Sequence, residues 1–359
     1  MKPLQYNEIM PRVAIEYLKL LEPDDVVSLM GKDLEVIRCA LADSPYQEEL
    51  STLSKERADS DAFEEVILQN YVKTCEKLVK YSSGDIRKLL LAVLKKFEVS
   101  NIHTLLRAAT AQMNVDEAMK NIVPVGKLCR DRCRAILKGS KTVDDVTNSL
   151  IESENDLAIK AVLRKHKKTR DLTLTEVALD KTVYQGILQA AEKLKGADKK
   201  IAKNVLGIEI DATNLKTILK WKSLKISRER MRDYLMPTTL IDEGTLEKAT
   251  TAPDARSMIK ILFSKAATKN QVYERIFTQI IKEHNAPLSR LEAILDRASL
   301  TMSLQMIKEH SRYYNIGFVL AFLNLKWAEV KNLRCIINGS ERKASDSQVR
   351  QLLTFPSDL

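Results

Sequence analysis

Apolar residues recur along this chain at three- and four-residue spacing, the period of a helix buried on one face. Ile9–Leu21 carries a short stripe that stops at Glu22-Pro23, because proline cannot continue the hydrogen-bond ladder. Asp33–Leu41 follows and breaks near Ser44-Pro45. Ala62–Tyr81 sets Phe63, Val66, Ile67, Tyr71, Cys75 and Leu78 on one face, and Asp85 is placed to cap a long helix through Ile86, Leu89, Leu90, Val93, Leu94 and Phe97. The pattern then starts again. Val143–Ile151, Leu157–His166, Thr175–Leu194, Ala197–Leu206 and a helix around Asn214 come next, with Gly207 expected to kink or break the last pair. A third round gives Asp254–Ala266, Gln271–His284, Ser289–Ser299, Met302–Tyr314 and Ile316–Ile337. Short helices at Asn114–Ile122, Ser227–Leu235 and Asp346–Leu353 end the rounds, the last capped by Ser345 or Asp346. β-Branched alternations bounded by Asn-Gly turns are missing, so the expected class is all-α.

The rounds share landmarks. Near the end of each, an acid is followed three residues later by Asn and then a Leu/Ile stripe: Glu98 with Asn101, Asp211 with Asn214, Glu329 with Asn332. The asparagines lie 113 and 118 residues apart. That is the length of a helical subdomain, too long for a solenoid unit. A proline follows each Asn by 23, 23 and 24 residues (Pro124, Pro237, Pro356), each with Leu three or four positions on. Upstream of the acids stand Glu64, Glu176 and Glu292, and further upstream Asp33, Asp144 and Asp254. The same order in all three thirds predicts three sequential helical pseudo-repeats, residues 1–128, 129–241 and 242–359, with pseudo-threefold character. Most of the landmarks are read as packing and capping positions. With no low-complexity linker between them, the thirds are expected to pack on one another.

Composition sharpens this. Glycine (10) and proline (9) are scarce in 359 residues, which favours helix. No apolar run approaches the ~20 residues of a membrane span, and no apolar region follows Met1-Lys2-Pro3 as in a signal peptide. The expectation is a cytosolic chain, or one peripheral on a membrane's cytosolic side. Five scattered cysteines do not complete a zinc site, although Cys129 and Cys133 are one turn apart. Charge is uneven. Residues 1–128 hold 17 basic and 20 acidic side chains, 129–241 hold 24 and 15, and 242–359 hold 17 and 13. The excess concentrates in Arg130–Lys141, Lys216–Arg232 and a patch of Lys160, Arg164, Lys165, Lys167, Lys168 and Arg170.

Catalytic signatures fail one by one. Gly139-Ser140-Lys141-Thr142 lacks the order and the preceding strand of a phosphate loop. His103, His166, His284 and His310 form no His-Glu-x-x-His arrangement. The basic patch could bind phosphates, but residues 129–241 offer only Tyr184, Trp221 and Tyr234 for stacking on bases. A solvated charged face remains the common meaning of such a run. Residues three apart share a helix face, so the pairs Glu98/Asn101, Asp211/Asn214 and Glu329/Asn332 either line a partner-binding cavity or hydrogen-bond to a neighbouring helix at the edge of the subdomain core.

Residues 317–339 carry a resemblance. Gly317-Phe318-Val319-Leu320-Ala321-Phe322-Leu323, then Lys326-Trp327-Ala328-Glu329-Val330-Lys331-Asn332-Leu333-Arg334-Cys335-Ile336-Ile337-Asn338-Gly339, is similar to a helix characteristic of one family, that of the C subunit of archaeal-type (A-type) ATP synthases and the d subunit of vacuolar ATPases. Asp211–Lys220 resembles a second motif of that family, and Asn101–Arg107 is a looser copy. Phe322 stands where the family usually has Tyr and Lys331 where it has Arg, and the N-terminal segment lacks an Arg-rich opening. The resemblance implies a funnel of three helical subdomains in a central rotor, non-catalytic and without cofactor or small-molecule substrate. It implies as partners a coiled-coil shaft subunit and a membrane proteolipid ring, with the stator protein of the membrane as a further candidate. The alternative carried beside it is a basic helical adaptor for nucleic acid or another acidic partner.

Overall fold

A computed structural model describes residues 6–53, 59–223, 233–237, 241–253, 257–258, 260–262, 274, 278–280, 282–283, 288–310 and 315–356. Among them every regular element is a helix: α1 (Ile9–Leu18), α2 (Pro23–Ser28), α3 (Leu34–Leu41), α4 (Gln47–Leu50), α5 (Ser60–Lys80), α6 (Gly84–Thr110), α7 (Val115–Met119), α8 (Arg130–Gly139), α9 (Val143–Ser153), α10 (Leu157–Thr169), α11 (Leu172–Glu192), α12 (Ala197–Ser223), α13 (Glu243–Thr251), α14 (Leu288–His310), α15 (Ile316–Glu341) and α16 (Asp346–Leu352). The chain is all-α, as its apolar spacing predicts.

The starts of these helices are chemically marked. Asp59, Asp156, Asp171 and Asp242 accept main-chain N–H groups of the first turns of α5, α10, α11 and α13. Thr142 with Asp145, and Ser345 with Gln348, form reciprocal capping boxes on α9 and α16. Asp85 lies inside the first turn of α6, whose cap position is Ser83.

Two compact units emerge, one of residues 83–193 and one of residues 1–82 with 194–359. In the first, α6 lies along α11, and α9 packs on α6, α8 and α10. Leu89, Leu90, Ile102, Leu105 and Leu106 of α6 are buried, with Ile159 and Leu163 of α10 and Leu179 and Ile187 of α11. Each such side chain contributes about 1.5–3 kcal/mol. In the second unit α15 is central and contacts α14, α5, α12, α1 and α16. Residues Ile316–Leu323 of α15 are buried without exception. A helix that is apolar all round must be covered on all sides, and this segment has no polar residue to turn outward.

Three expectations need adjusting. Gly207 does not interrupt α12, where buried Val205, Leu206, Ile208 and Ile210 surround it. One glycine costs a helix only about 1 kcal/mol relative to alanine, and packing outweighs that. Ser289–Ser299 and Met302–Tyr314 are read as two helices, but α14 runs from Leu288 to His310. Ser299-Leu300-Thr301 contains neither Pro nor Gly, and the Ser303 hydroxyl donates back to the Ser299 carbonyl at 2.8 Å. The short helices α2, α4, α8 and α13 carry too few apolar positions to show a period; α8 buries only Cys133 and Ile136. Ser227–Leu235, Asp254–Ala266 and Gln271–His284 fall largely outside the described residues, as do Leu240, Asp254 and His284.

Candidate functional site

Each landmark asparagine sits mid-helix and turns its carboxamide onto the main chain of a later loop. Asn101 of α6 accepts the Val123 N–H at 3.0 Å and donates to the Val123 carbonyl at 2.7 Å and the Leu128 carbonyl at 3.1 Å. Asn214 of α12 accepts the Met236 N–H at 2.6 Å and donates to its carbonyl at 3.3 Å. Asn332 of α15 does both with Thr354 at 2.9 Å. The gripped residue lies 22 positions after the Asn in all three cases. A primary amide presents an acceptor and a donor side by side, so it pairs with one residue's N–H and C=O as a neighbouring strand would. All three asparagines are buried, where unpaired main-chain groups would be costly.

Two of the acids grip the other side of their proline. Glu98 Oε1 accepts the Lys127 N–H at 2.9 Å, and Asp211 Oδ2 accepts the Ile241 N–H at 3.1 Å. The first short helices of the next thirds, α8 and α13, start just beyond. Glu329 Oε2 accepts the N–H of Leu21 at 2.6 Å, two residues before α2.

Lysines complete two of these clasps. Lys95 bridges Glu98 at 2.8 Å and Glu154 at 2.9 Å. Burial alone would lower its pKa, but the two carboxylates more than offset this and hold it above the usual value. Lys326 donates to Glu329 at 2.8 Å and to the Tyr46 hydroxyl at 3.1 Å, and lies over the Tyr46 ring at 4.3 Å. Tyr46 also donates to Glu329 at 2.6 Å. Burial, and then the Glu329 charge, raise the phenol well above its ordinary pKa. Both lysines stand three residues before their acid; Ile208 takes that place in the second third. The lysine-to-acid spacing is therefore a sequence signal of the clasp that the acid–Asn pattern alone does not carry. Two of the clasps border cavities. One of about 420 Å³ is lined by Tyr17, Leu21, Glu329, Asn332, Phe355 and Pro356, and one of about 240 Å³ by Glu98, Ile102, Lys127, Arg132 and Glu154.

The upstream glutamates mark paired long helices. Glu176 of α11 takes Arg107 of α6 at 2.5 and 2.7 Å, and four residues on Asp180 faces His103 at 3.6 Å. Glu64 of α5 accepts Arg334 of α15 at 2.6 Å and also Asn338. Lys216 of α12 pairs with Asp296 of α14, one turn after Glu292. His103, Lys216 and Arg334 each stand two residues past their landmark asparagine. The helix bearing one clasp therefore lies against the long helix of the next third, and α15 against that of the first. Burial, helped by the Arg107 cation, pushes His103 down to about 4, against the pull of Glu176. Burial and the Glu176 charge push Asp180 up to about 7.

The basic patch lies on α10 and the residue that follows it. Ile159, Leu163 and His166 turn α10 inward, leaving Arg164, Lys165, Lys167 and Lys168 exposed and Lys160 half-exposed. Lys167 donates to Asn148 at 2.8 Å, and Arg170, in the left-handed region at φ 56°, pairs with Asp144 at 2.5 Å. Lys160, Arg164, Lys165 and Lys168 make no ion pair among the described residues. No described group of three or more His, Cys, Asp or Glu is arranged for a metal ion, and no described helix is long and apolar enough to cross a membrane. What the six landmark residues do, on this geometry, is fasten loop main chain to long helices.

Residues 9–352 match the model of the family described as ATP synthase (C/AC39) subunit. The chain is 26% identical over 350 residues to the C subunit of the A-type ATP synthase of Methanosarcina mazei, covering 98% of this chain and 93% of that one. It is 25% identical over 352 residues to the protein of the same description in Methanosarcina barkeri, covering 97% and 92%. Against that of Methanocaldococcus jannaschii it is 24% identical over 352 residues, covering 97% and 86%.

Proposed function

We propose that this chain, which belongs to the ATP synthase (C/AC39) subunit family, is a non-catalytic rotor component that couples a coiled-coil shaft to a membrane proteolipid ring. The observation that carries this reading is the end-to-end match to proteins described as the C subunit of A-type ATP synthases. The clasps are consistent with it, because a torque-passing part has to be stiff. Each ties loop main chain to a long helix, which removes the looseness that loops otherwise bring.

On this reading the three thirds, residues 1–128, 129–241 and 242–359, form the walls of a funnel around the shaft end. The six clasp residues work inside the walls and leave partner contact to other side chains. The protein sits peripherally on the cytosolic side of the membrane, with the stator as a further neighbour. Calorimetric titration with the same organism's shaft subunit tests it. One-to-one binding should persist at roughly 0.5 M salt, where the Debye length falls to about 4 Å. Binding that vanishes with salt would favour the basic adaptor for a polyanion instead.

A further inference from the structure

We infer that the outward face of α10 is a docking surface for the anionic headgroups of a lipid bilayer. The inference rests on the reading of the chain as part of a complex held at a membrane. Residues 157–170 hold six basic side chains and no acidic one. Ile159, Leu163 and His166 fix the inward face. At 100° per residue the opposite ridge is Leu157, Ala161, Arg164 and Lys168, flanked by Lys160, Lys165 and Lys167. Leu157 is 78% exposed at one end of this ridge.

The fold does not require this charge. The element in the same place in the first third, ahead of the long helix bearing Glu64, is α4, and it carries Glu48 and Glu49. Nor is the charge consumed internally, since Lys160, Arg164, Lys165 and Lys168 have no ion pair among the described residues. Three of those four are lysines, compact charges on flexible stems, without the fork geometry that reads a carboxylate in a defined protein partner. Stacking on nucleic acid has little support, because residues 83–193 contain only Phe97 and Tyr184, one buried and one half-buried. A basic ridge with an exposed leucine at its end suits a broad anionic plane, to which each Lys or Arg adds a separate increment of attraction.

Co-sedimentation of the full chain with vesicles tests this. Phosphatidylcholine alone is compared with phosphatidylcholine containing phosphatidylglycerol, at low salt and at roughly 0.5 M. The chain should sediment with anionic vesicles only, and only at low salt. Lys160→Gln/Arg164→Gln/Lys165→Gln/Lys168→Gln should weaken that binding by about tenfold or more. These side chains make no ion pair among the described residues, so thermal unfolding of the variant should match the parent. An equal loss of charge elsewhere, Lys200→Gln/Arg342→Gln/Lys343→Gln/Arg350→Gln, should leave most of the binding. Equal binding to neutral vesicles, absence of binding to anionic ones, or equal weakening by both variants would overturn the inference. The quadruple α10 variant should still bind the shaft subunit. If the parent chain fails to bind the shaft, the rotor reading itself fails, whatever the vesicles show.

Discussion

The carboxylate of Glu329 accepts the main-chain N–H of Leu21, 308 residues earlier in the chain, at 2.6 Å. The same carboxylate holds Lys326, and both side chains are only 5% exposed. Glu329→Gln keeps an acceptor for Leu21 but leaves a buried ammonium without its counter-charge. Denaturant unfolding should show a loss of about 3–5 kcal/mol. Adding Lys326→Met should restore most of it. If the double variant is no better than the single one, the carboxylate acts through Leu21 and Tyr46 and not through the lysine.

Asn101, Asn214 and Asn332 should behave alike. Replacing any one with Ala strands a buried main-chain N–H and C=O, and each is expected to destabilise by about 2–3 kcal/mol in urea melts. Asn101→Asp should be no better than Asn101→Ala at neutral pH, since a carboxylate cannot donate to the Val123 carbonyl. Below about pH 4 the protonated acid regains a donor, and the gap should narrow. Equal stability of the Asp variant and the parent at neutral pH would refute the two-way pairing.

Gly126 holds φ +81°, and a Cβ there would overlap the Glu98 carboxylate. Gly126→Ala should cost about 2 kcal/mol, part of it through the broken Glu98–Lys127 bond. On a Glu98→Ala background the penalty should shrink. A double-mutant cycle with no coupling would mean that backbone conformation alone demands the glycine.

His103 gives a pH signature. Its folded pKa lies near 4, below the unfolded value of about 6.5. Between these values the unfolded chain binds a proton that the folded chain does not, so stability should rise as pH increases across that window. Asp180 acts in the opposite sense up to about pH 7, screened by solvent because its side chain is 42% exposed. His103→Gln should flatten the rise and Asp180→Asn should steepen it. A His103→Gln profile parallel to the parent's would place the acid sensitivity elsewhere.

The period of three and four, together with a few capping residues, made the long helices legible. It did not register the short helices α2, α4 and α8, which bury one or two side chains each, or α13, where two of the four buried side chains are threonines. The acid–Asn landmarks were visible, but what they grip was not. Val123, Met236 and Thr354 are recognised by their main chain, and a main-chain contact leaves no side-chain preference at the receiving position. The regular interval to proline was the only trace, since an X-Pro bond keeps the receiving loop extended. Lys95 and Lys326 were readable from their spacing. Tyr46 was not, because it reaches Glu329 across 283 residues.

Peptide bonds run directly from Val123 to Lys127 and from Met236 to Ile241. From Thr354 to Leu21 the corresponding span is bridged by the grips on α15, the carboxylate of Glu329 and the side chains of Tyr46 and Lys326. Covalent joints do not part under tension, whereas hydrogen bonds rupture. Pulled from its two ends, the chain should therefore begin to open at this seam. A crosslink between the loop at Thr354 and the loop at Leu21 would raise the rupture force more than one placed at either of the other two joints.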